Sequence, residues 1–257
     1  MRTKSLLQLF LISIMALPSM LWGTHLGWTE HEITSPPDGA RSVYSADVDG
    51  DGDMDIVAAS DHDPYNYEDG RVAWYENDGG GNFTEHVITT GSNPLFVHAK
   101  DMDGDGDMDV ISGSEHNGIV WHENDGDESF TTHLIGTVGA AQSVYIVDIN
   151  SDGDMDVVVA SYWDGVVWYD NDGSESFSHN TITASSNGAV SVYAADVDGD
   201  GDVDLLSAYK NDYKIAWYEN IDNAGFLEIE HIISTDAQLA SYVYAEDVDG
   251  DGDMDVL

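Results

Sequence analysis

The chain has 257 residues, with 50 acidic side chains against 7 Lys and Arg, a formal charge of -43 and no cysteine. That field makes nucleic acid and anionic lipid poor partners, and an exported chain without disulfides must be held by its core, by metal ions or by both. No stretch beyond the N-terminal segment carries a helical period, so the length points to one large all-β domain, a class that runs past about 200 residues without splitting.

At the N-terminus Arg2 and Lys4 precede an apolar run from Leu6 to Leu17, closed by Pro18 and Ser19. This is the pattern of a secretory signal, too short to span a bilayer; residues 1-23 are assigned to it, with cleavage after Gly23. The mature charge becomes -45, because Arg2 and Lys4 leave with the signal. Residues 24-257 hold no linker and no other segment apolar enough for a membrane, so they read as one domain, secreted and extracellular or at the cell surface.

Gly27 to Thr34 reads as the last strand of an earlier unit. The first full unit then predicts a strand over Arg41–Ala46, an Asp-rich loop over Asp47–Asp55, and strands over Ile56–Ser60, Arg71–Glu76 and Phe83–Thr89. The runs are rich in Val, Ile, Trp, Tyr and Thr, and Asn77-Asp78-Gly79-Gly80 marks the last turn. Later units repeat this grammar. Their third runs hold Trp121, Trp168 and Trp217, as Trp74 does here, each followed by an acid and Asn124, Asn171 or Asn220. Their fourth runs open near Phe130, Phe177 and Phe226. A four-stranded unit of about 40 to 50 residues is the period of a propeller blade.

The loop itself recurs five times: DVDGDGDMD at Asp47–Asp55, DMDGDGDMD at Asp101–Asp109, DINSDGDMD at Asp148–Asp156, DVDGDGDVD at Asp196–Asp204 and DVDGDGDMD at Asp247–Asp255. Oxygen at every second residue, with Gly at the sixth place where the chain must turn sharply, is the inner wall of a calcium site. Carboxylates about 5 Å apart without a cation repel by about 3 kcal/mol per pair at an effective dielectric of 20. Solvated Asp-Gly turns are the duller reading, but five repetitions of such a cluster call for a counterion. An EF-hand would place a bidentate Glu at the twelfth position, where this chain has Ala58, Ser112, Val159 and Ser207.

These loops and their spacing resemble the FG-GAP-like (VCBS) repeats of integrin-α type propellers, over about Gly27 to Leu257. The resemblance implies a calcium-binding β-propeller of four-stranded blades. It implies seven blades where about five repeats are visible, so the chain is read as incomplete at its C-terminus; a five-bladed ring closed by the N-terminal strand is the alternative. By the family pattern the first site uses the side chains of Asp47, Asp49, Asp51 and Asp55 and the carbonyl of Asp53, whose own side chain is expected to face water. The same places are Asp101, Asp103, Asp105, Asp107 and Asp109; Asp148, Asn150, Asp152, Asp154 and Asp156; Asp196, Asp198, Asp200, Asp202 and Asp204; and Asp247, Asp249, Asp251, Asp253 and Asp255. Up to five Ca²⁺ ions are expected, the third held more weakly because Asn150 and Ser151 replace Asp and Gly.

In a meandering blade the Asp loops lie on one face, so the segments joining second to third strands lie on the other. There the chain varies: Asp61 to Tyr67, Glu115 to Asn117, Tyr162 to Asp164, and Tyr209 to Tyr213. Aromatics beside carboxylates and amides suit sugars, although they also pack on neighbouring blades. His31, His86, His133 and His231 recur once per unit and read as structural hydrogen-bonding groups, the Trp series as blade core. No nucleophile elbow, zinc helix or phosphate loop is present, so no catalytic residue is assigned. The function expected is a binding or adhesion module for an extracellular carbohydrate or protein. A polysaccharide lyase using Lys210, Tyr209, His62 or His116 and a non-catalytic scaffold are the alternatives.

Overall fold

The computed structural model describes residues 33, 39–60, 70–91, 93–114, 118–183, 188–221 and 226–257, with the backbone alone at 227–229. The chain divides into Met1–Glu32 and Ile33–Leu257, and the first unit lies outside the described residues. So do the signal segment, the N-terminal strand apart from Ile33, and the loops bearing His62 and His116. Every regular element among the described residues is a strand, and no helix there is long and apolar enough to cross a membrane.

The first blade is the antiparallel meander β1 (Ala40–Ala46), β2 (Asp55–Ser60), β3 (Arg71–Asn77) and β4 (Phe83–Thr90). The second is β5 (Pro94–Lys100), β6 (Asp109–Ser114), β7 (Gly118–Asn124) and β8 (Phe130–Gly136). The third is β9 (Ala141–Val147), β10 (Asp156–Ser161), β11 (Gly165–Asn171) and β12 (Phe177–Thr181). The fourth is β13 (Ala189–Ala195), β14 (Asp204–Tyr209), β15 (Lys214–Asn220) and β16 (Phe226–Ser234), and β17 (Ala245–Glu246) pairs with β18 (Asp255–Val256) in a fifth sheet. The strands expected in the first unit are met within one residue at each end.

The second strands explain how the sheets stack. All six residues of β10 are buried, because alternate side chains serve opposite neighbours. Val157 and Val159 pack with Ile111 and Trp121 of the second blade, while Val158 and Ala160 pack with Leu205 and Tyr218 of the fourth. A strand buried on both faces reads as one continuous apolar run rather than as an alternation, and each such Val contributes about 1.5–3 kcal/mol of burial. The inner strands are also tied directly: the Val97 N–H donates to Ser42 Oγ at 3.2 Å, and the Val243 N–H to Ser191 Oγ at 3.2 Å. This is the blade-on-blade packing of a β-propeller repeat.

Trp74 and Trp121 are buried to 1% and 2% exposure, as expected for blade core. His86, His133 and His231 lie against Trp74, Trp121 and Trp217 at ring-centroid distances of 4.4, 4.8 and 4.4 Å. Their Nε2 atoms meet Glu76, Glu123 and Glu219 at 2.9, 2.7 and 3.1 Å. These partly exposed pairs each add little stability, but they fix the rim of each sheet.

Candidate metal centres

Each Asp loop joins a first strand to a second, and the chain reverses through two residues with positive φ, both glycine except in the third loop. At the fourth loop position φ is 72°, 77°, 78° and 80° for Gly50, Gly104, Gly199 and Gly250, and Ser151 occupies the same place at 58°. At the sixth position Gly52, Gly106, Gly153, Gly201 and Gly252 lie at 96–104°. An L residue reaches the first conformation at modest cost and the second only with severe strain. The substitution of Ser for Gly in the third loop falls where the backbone tolerates it.

The first Asp of each loop folds back over the turn. Asp47 Oδ2 accepts the Gly52 N–H at 3.1 Å, and Asp101, Asp148, Asp196 and Asp247 accept from Gly106, Gly153, Gly201 and Gly252 in the same way. The third and fifth positions accept amide bonds two residues ahead, as Asp49 does from Asp51 and Asp51 from Asp53. Within this frame, one oxygen from each of Asp47, Asp49 and Asp55 comes within 4.8 Å of the other two. The same closeness holds for Asp101, Asp103 and Asp109, for Asp196, Asp198 and Asp204, and for Asp247, Asp249 and Asp251.

The residues present fit a hard cation. Asp47 Oδ1 is buried and accepts no hydrogen bond, which leaves an anionic oxygen without compensation unless a positive ion meets it. Burial, followed by the charges of Asp105, Asp101 and Glu123, raises the Asp103 carboxyl above its ordinary range despite the amide bond from Asp105. An all-oxygen donor set of carboxylates suits Ca²⁺ or Mg²⁺ rather than a thiophilic metal.

The ninth position has a second role that the sequence pattern does not announce. Asp55, Asp109, Asp156 and Asp204 are wholly inaccessible to solvent. Asp109 Oδ2 accepts the Met102 N–H at 2.9 Å, closing the loop, and its Oδ1 accepts the Asn124 N–H at 2.8 Å, fastening the loop to the end of the third strand. Asp55 holds Val48 and Asn77, Asp156 holds Ile149 and Asn171, and Asp204 holds Val197 and Asn220 in the same geometry. Burial pushes Asp109 and Asp156 up to about 6, the two amide bonds pulling the other way. The indole N–H groups of Trp121, Trp168 and Trp217 lie beside Asp109, Asp156 and Asp204 and also favour the charged carboxylate.

The Asn that ends each third strand completes the frame. Asn124 Nδ2 donates to Met108 O at 3.3 Å and to Val48 O, in the preceding blade's loop, at 3.0 Å. Asn220 repeats this with Val203 O and Ile149 O. At Asn124 and Asn220 the Asn that follows the acid of the third run therefore also ties its loop to the loop of the preceding blade. Asp53, Asp107 and Asp154 are partly exposed and lie against the glycine of the adjoining turn, where a Cβ on Gly79, Gly126 or Gly173 would meet the carboxylate Oδ2 at 2.4–2.5 Å.

The third loop departs from the others. Asn150 sits at the expected place, but its Nδ2 donates to Asp152 Oδ2 at 3.0 Å and Asp170 Oδ1 at 3.1 Å. An amide thus supplies part of the neutralisation locally. The fifth loop keeps its turn, and Asp255 still accepts from Val248 at 3.1 Å.

The repeat model described as "FG-GAP-like repeat" matches at residues 47–112, 101–159, 148–207 and 196–257, each span opening on the first Asp of a loop. The chain belongs to the FG-GAP-like repeat family. No curated protein sequence matches it. Among solved structures it is similar to the V. cholerae biofilm matrix protein Bap1, with a TM-score of 0.51 and 18% identity, over 89% of this chain and 36% of that one. It is also similar to BBS1N from its complex with ARL6DN, with a TM-score of 0.51 and 13% identity, over 80% of this chain and 54% of that one. The FG-GAP-like chain thus spans well under two thirds of either protein, and at these identities the likeness is one of fold.

On the opposite face, two of the segments expected to vary are described. Tyr209 is fully buried and its hydroxyl meets that of Tyr218 at 2.6 Å; burial raises its pKa, which disqualifies it as a surface base. Lys210 is exposed. Sequence reasoning missed His122, which is 1% exposed with Nε2 on Ser112 Oγ at 2.9 Å and Nδ1 on Thr132 Oγ1 at 3.2 Å. It lines a cavity of about 140 Å³ with Thr89, Thr90 and Val120. The available signal was the break in the series Tyr75, His122, Tyr169, Tyr218.

Proposed function

We propose that this chain is an exported adhesion or scaffold module whose blades are pinned by calcium. The observation that carries the reading is the buried, unpartnered Oδ1 of Asp47 inside a group of converging carboxylates, a group that recurs in three other loops. In the first loop Asp47, Asp49, Asp51 and Asp55, with the carbonyl of Asp53, would hold the ion, and the corresponding residues serve in the other loops. Calcium supplies charge neutralisation there, and the chain's own residues hold the loop shape through the amide clamp of the ninth Asp. The third loop, with Asn150 in place of a carboxylate, binds most weakly.

Adhesion is favoured because a stack of rigid sheets presents a broad surface of turns, and because the fold is shared with a protein described as belonging to a biofilm matrix. The acidic N-terminal-signal-bearing chain has the character of an exported protein, secreted or held at the cell surface. Extracellular modules bind calcium at roughly 0.1–1 mM, and a tenfold to hundredfold excess adds about 1.4 to 2.7 kcal/mol per site. Thermal unfolding of the mature chain in 10 mM calcium and then in excess chelator tests this. Chelation is expected to lower the midpoint steeply, with magnesium restoring less than calcium. An identical melt in both conditions would refute the calcium reading.

A further inference from the structure

The face opposite the Asp loops carries a tryptophan unlike those of the blade core. Trp163, in the turn between β10 and β11, is 69% exposed, whereas Trp74, Trp121 and Trp168 are 1%, 2% and 8% exposed. Blade packing does not account for it, and leaving a large apolar ring in water gives up its burial energy.

The ring is nevertheless held on a rigid frame. The Trp163 N–H donates to Gly139 O at 3.2 Å and the Tyr162 N–H to Ala140 O at 3.0 Å, both in the connection that precedes β9. The Gly139 N–H returns to the Asp164 carboxylate, which also accepts from Ser161 Oγ at 3.3 Å. Tyr162 packs edge-on to Trp163 at 4.8 Å and 82°. Its hydroxyl is fixed by Asn211 of the fourth blade, donating to Oδ1 at 3.1 Å and accepting from Nδ2 at 2.9 Å. Two glycines make room for the group: a Cβ on Gly139 would lie 3.0 Å from Trp163 Cβ, and one on Gly188 would lie 2.9 Å from Asn211 Nδ2.

The turns that carry this aromatic pair are polar. Asp164 follows Trp163 directly, and Asn211 has exposed Lys210 and Asp212 on either side. One flat apolar surface with hydrogen-bonding groups at its edge matches a pyranose ring, which offers a C–H face and a rim of hydroxyls. A protein partner would be better served by a wider apolar patch. The chain's charge of -43 sets the sign of the ligand, since uronate or sulfated polymers would be repelled. We infer that Trp163, braced by Tyr162 and flanked by Asn211, is a stacking platform for neutral polysaccharide, an assignment that rests on the adhesion reading and gives it a place and a ligand class.

Affinity electrophoresis of the mature chain in calcium, through gels containing laminarin, xyloglucan, mannan or dextran, tests the site, with polygalacturonate as the anionic control. At least one neutral polymer is expected to retard the chain, Trp163→Ala to weaken that retardation at least tenfold, and Trp163→Phe to retain most of it. The melting midpoint of each variant should match the parent, because the ring is exposed. Three results would each overturn the inference: no retardation by any neutral polymer, equal retardation of Trp163→Ala, or preference for polygalacturonate. Capture of a protein ligand that depends on Trp163, without any polysaccharide binding, would also overturn it while leaving the adhesion reading in place. A chelator-insensitive melt strikes at the calcium reading and leaves this assay readable.

Discussion

Blades 2 and 3 are built alike and equipped differently. β6 and β10 both have six fully buried residues, and Asp109 and Asp156 both accept two backbone amides, at 2.9 and 2.8 Å in one and 3.0 and 2.8 Å in the other. Yet Asp103 is replaced by Asn150, Gly104 by Ser151 and His122 by Tyr169. The differences are coupled. In blade 2 Glu123 is held by His133 at 2.7 Å, while in blade 3 the matching place is Asn180, and Asp170 instead accepts from Asn150. The lesson is that the clamp which shapes each loop and the carboxylates which converge inside it are separable.

The strongest way to break that comparison is to remove the clamp. Asp109→Ala and Asp156→Ala each strand two buried amides, at about 1–3 kcal/mol apiece, so each is expected to cost about 4 kcal/mol even in excess chelator. Asp103→Ala, which removes a converging carboxylate and leaves the clamp intact, should cost under about 0.5 kcal/mol in chelator and show its effect only in calcium. Urea unfolding of the three variants in both conditions decides it. Equal losses for Asp103→Ala and Asp109→Ala in chelator would mean that frame and cage are one device.

Acid comes next, because it acts on blade 2 through a group that blade 3 lacks. Burial pushes His122 down to about 4, and its ring nitrogens meet only hydroxyls. The unfolded chain, with an ordinary His near 6.5, binds the proton more readily over that interval. Stability contributed by neutral His122 is therefore complete above about pH 6.5 and falls as the pH drops towards 4, by up to about 3 kcal/mol. Replacing it with the residue of the sister blades, His122→Tyr, should also occupy the adjoining cavity of about 140 Å³. The expected result is a melting midpoint at pH 5 that moves closer to that at pH 8. An unchanged acid sensitivity would place its origin in another group, such as His98, which burial also lowers to about 4.

These two regions differ in how far the sequence exposes them. Strands and Asp loops were legible because side-chain chemistry and glycine report directly on backbone shape, so Arg71–Glu76 was foreseen and Arg71–Asn77 is observed. The clamp was hidden because the partners of Asp55 are the backbone amides of Val48 and Asn77, 7 and 22 residues away, and every residue has an amide. Asn124 tying back to Val48, 76 residues earlier, required the packing of two blades to be known. The turn at Gly79 was legible, but its close approach to the Asp53 side chain was not, because it depends on how the two loops of the blade lie against each other. The Trp163 platform needed Asn211 brought from the next blade, a contact that no local pattern encodes.

Backbone strain gives a finer division within one loop. Gly104 has φ of 77° and its counterpart in blade 3 is already Ser151 at 58°, whereas Gly106 has φ of 104° and its counterpart is Gly153 at 100°. Gly104→Ser is expected to cost about 1 kcal/mol and Gly106→Ser about 2–3 kcal/mol, measured by urea unfolding in chelator so that metal binding does not enter. Neither position has an atom within 4 Å of an added Cβ, so the difference reports on φ rather than on collision. Equal costs would remove the backbone explanation for the composition of the third loop.

The smallest effect is also the most selective. Asn150→Asp would give blade 3 the side chain of blade 2 while deleting the two hydrogen bonds by which Asn150 quiets Asp152 and Asp170. Asp170 already has its carboxyl raised by burial and by the charge of Asp152, so another carboxylate beside it has to be offset by a cation. In chelator the variant should therefore lose about 1 kcal/mol, and in saturating calcium it should regain that loss and melt a degree or two above the parent. Isothermal titration should show one site tightening by several fold while the rest stay unchanged. A variant that loses stability equally in calcium and in chelator would show that Asn150 serves the loop as a hydrogen-bonding brace, and that the third loop gives up its ion in favour of its own amide.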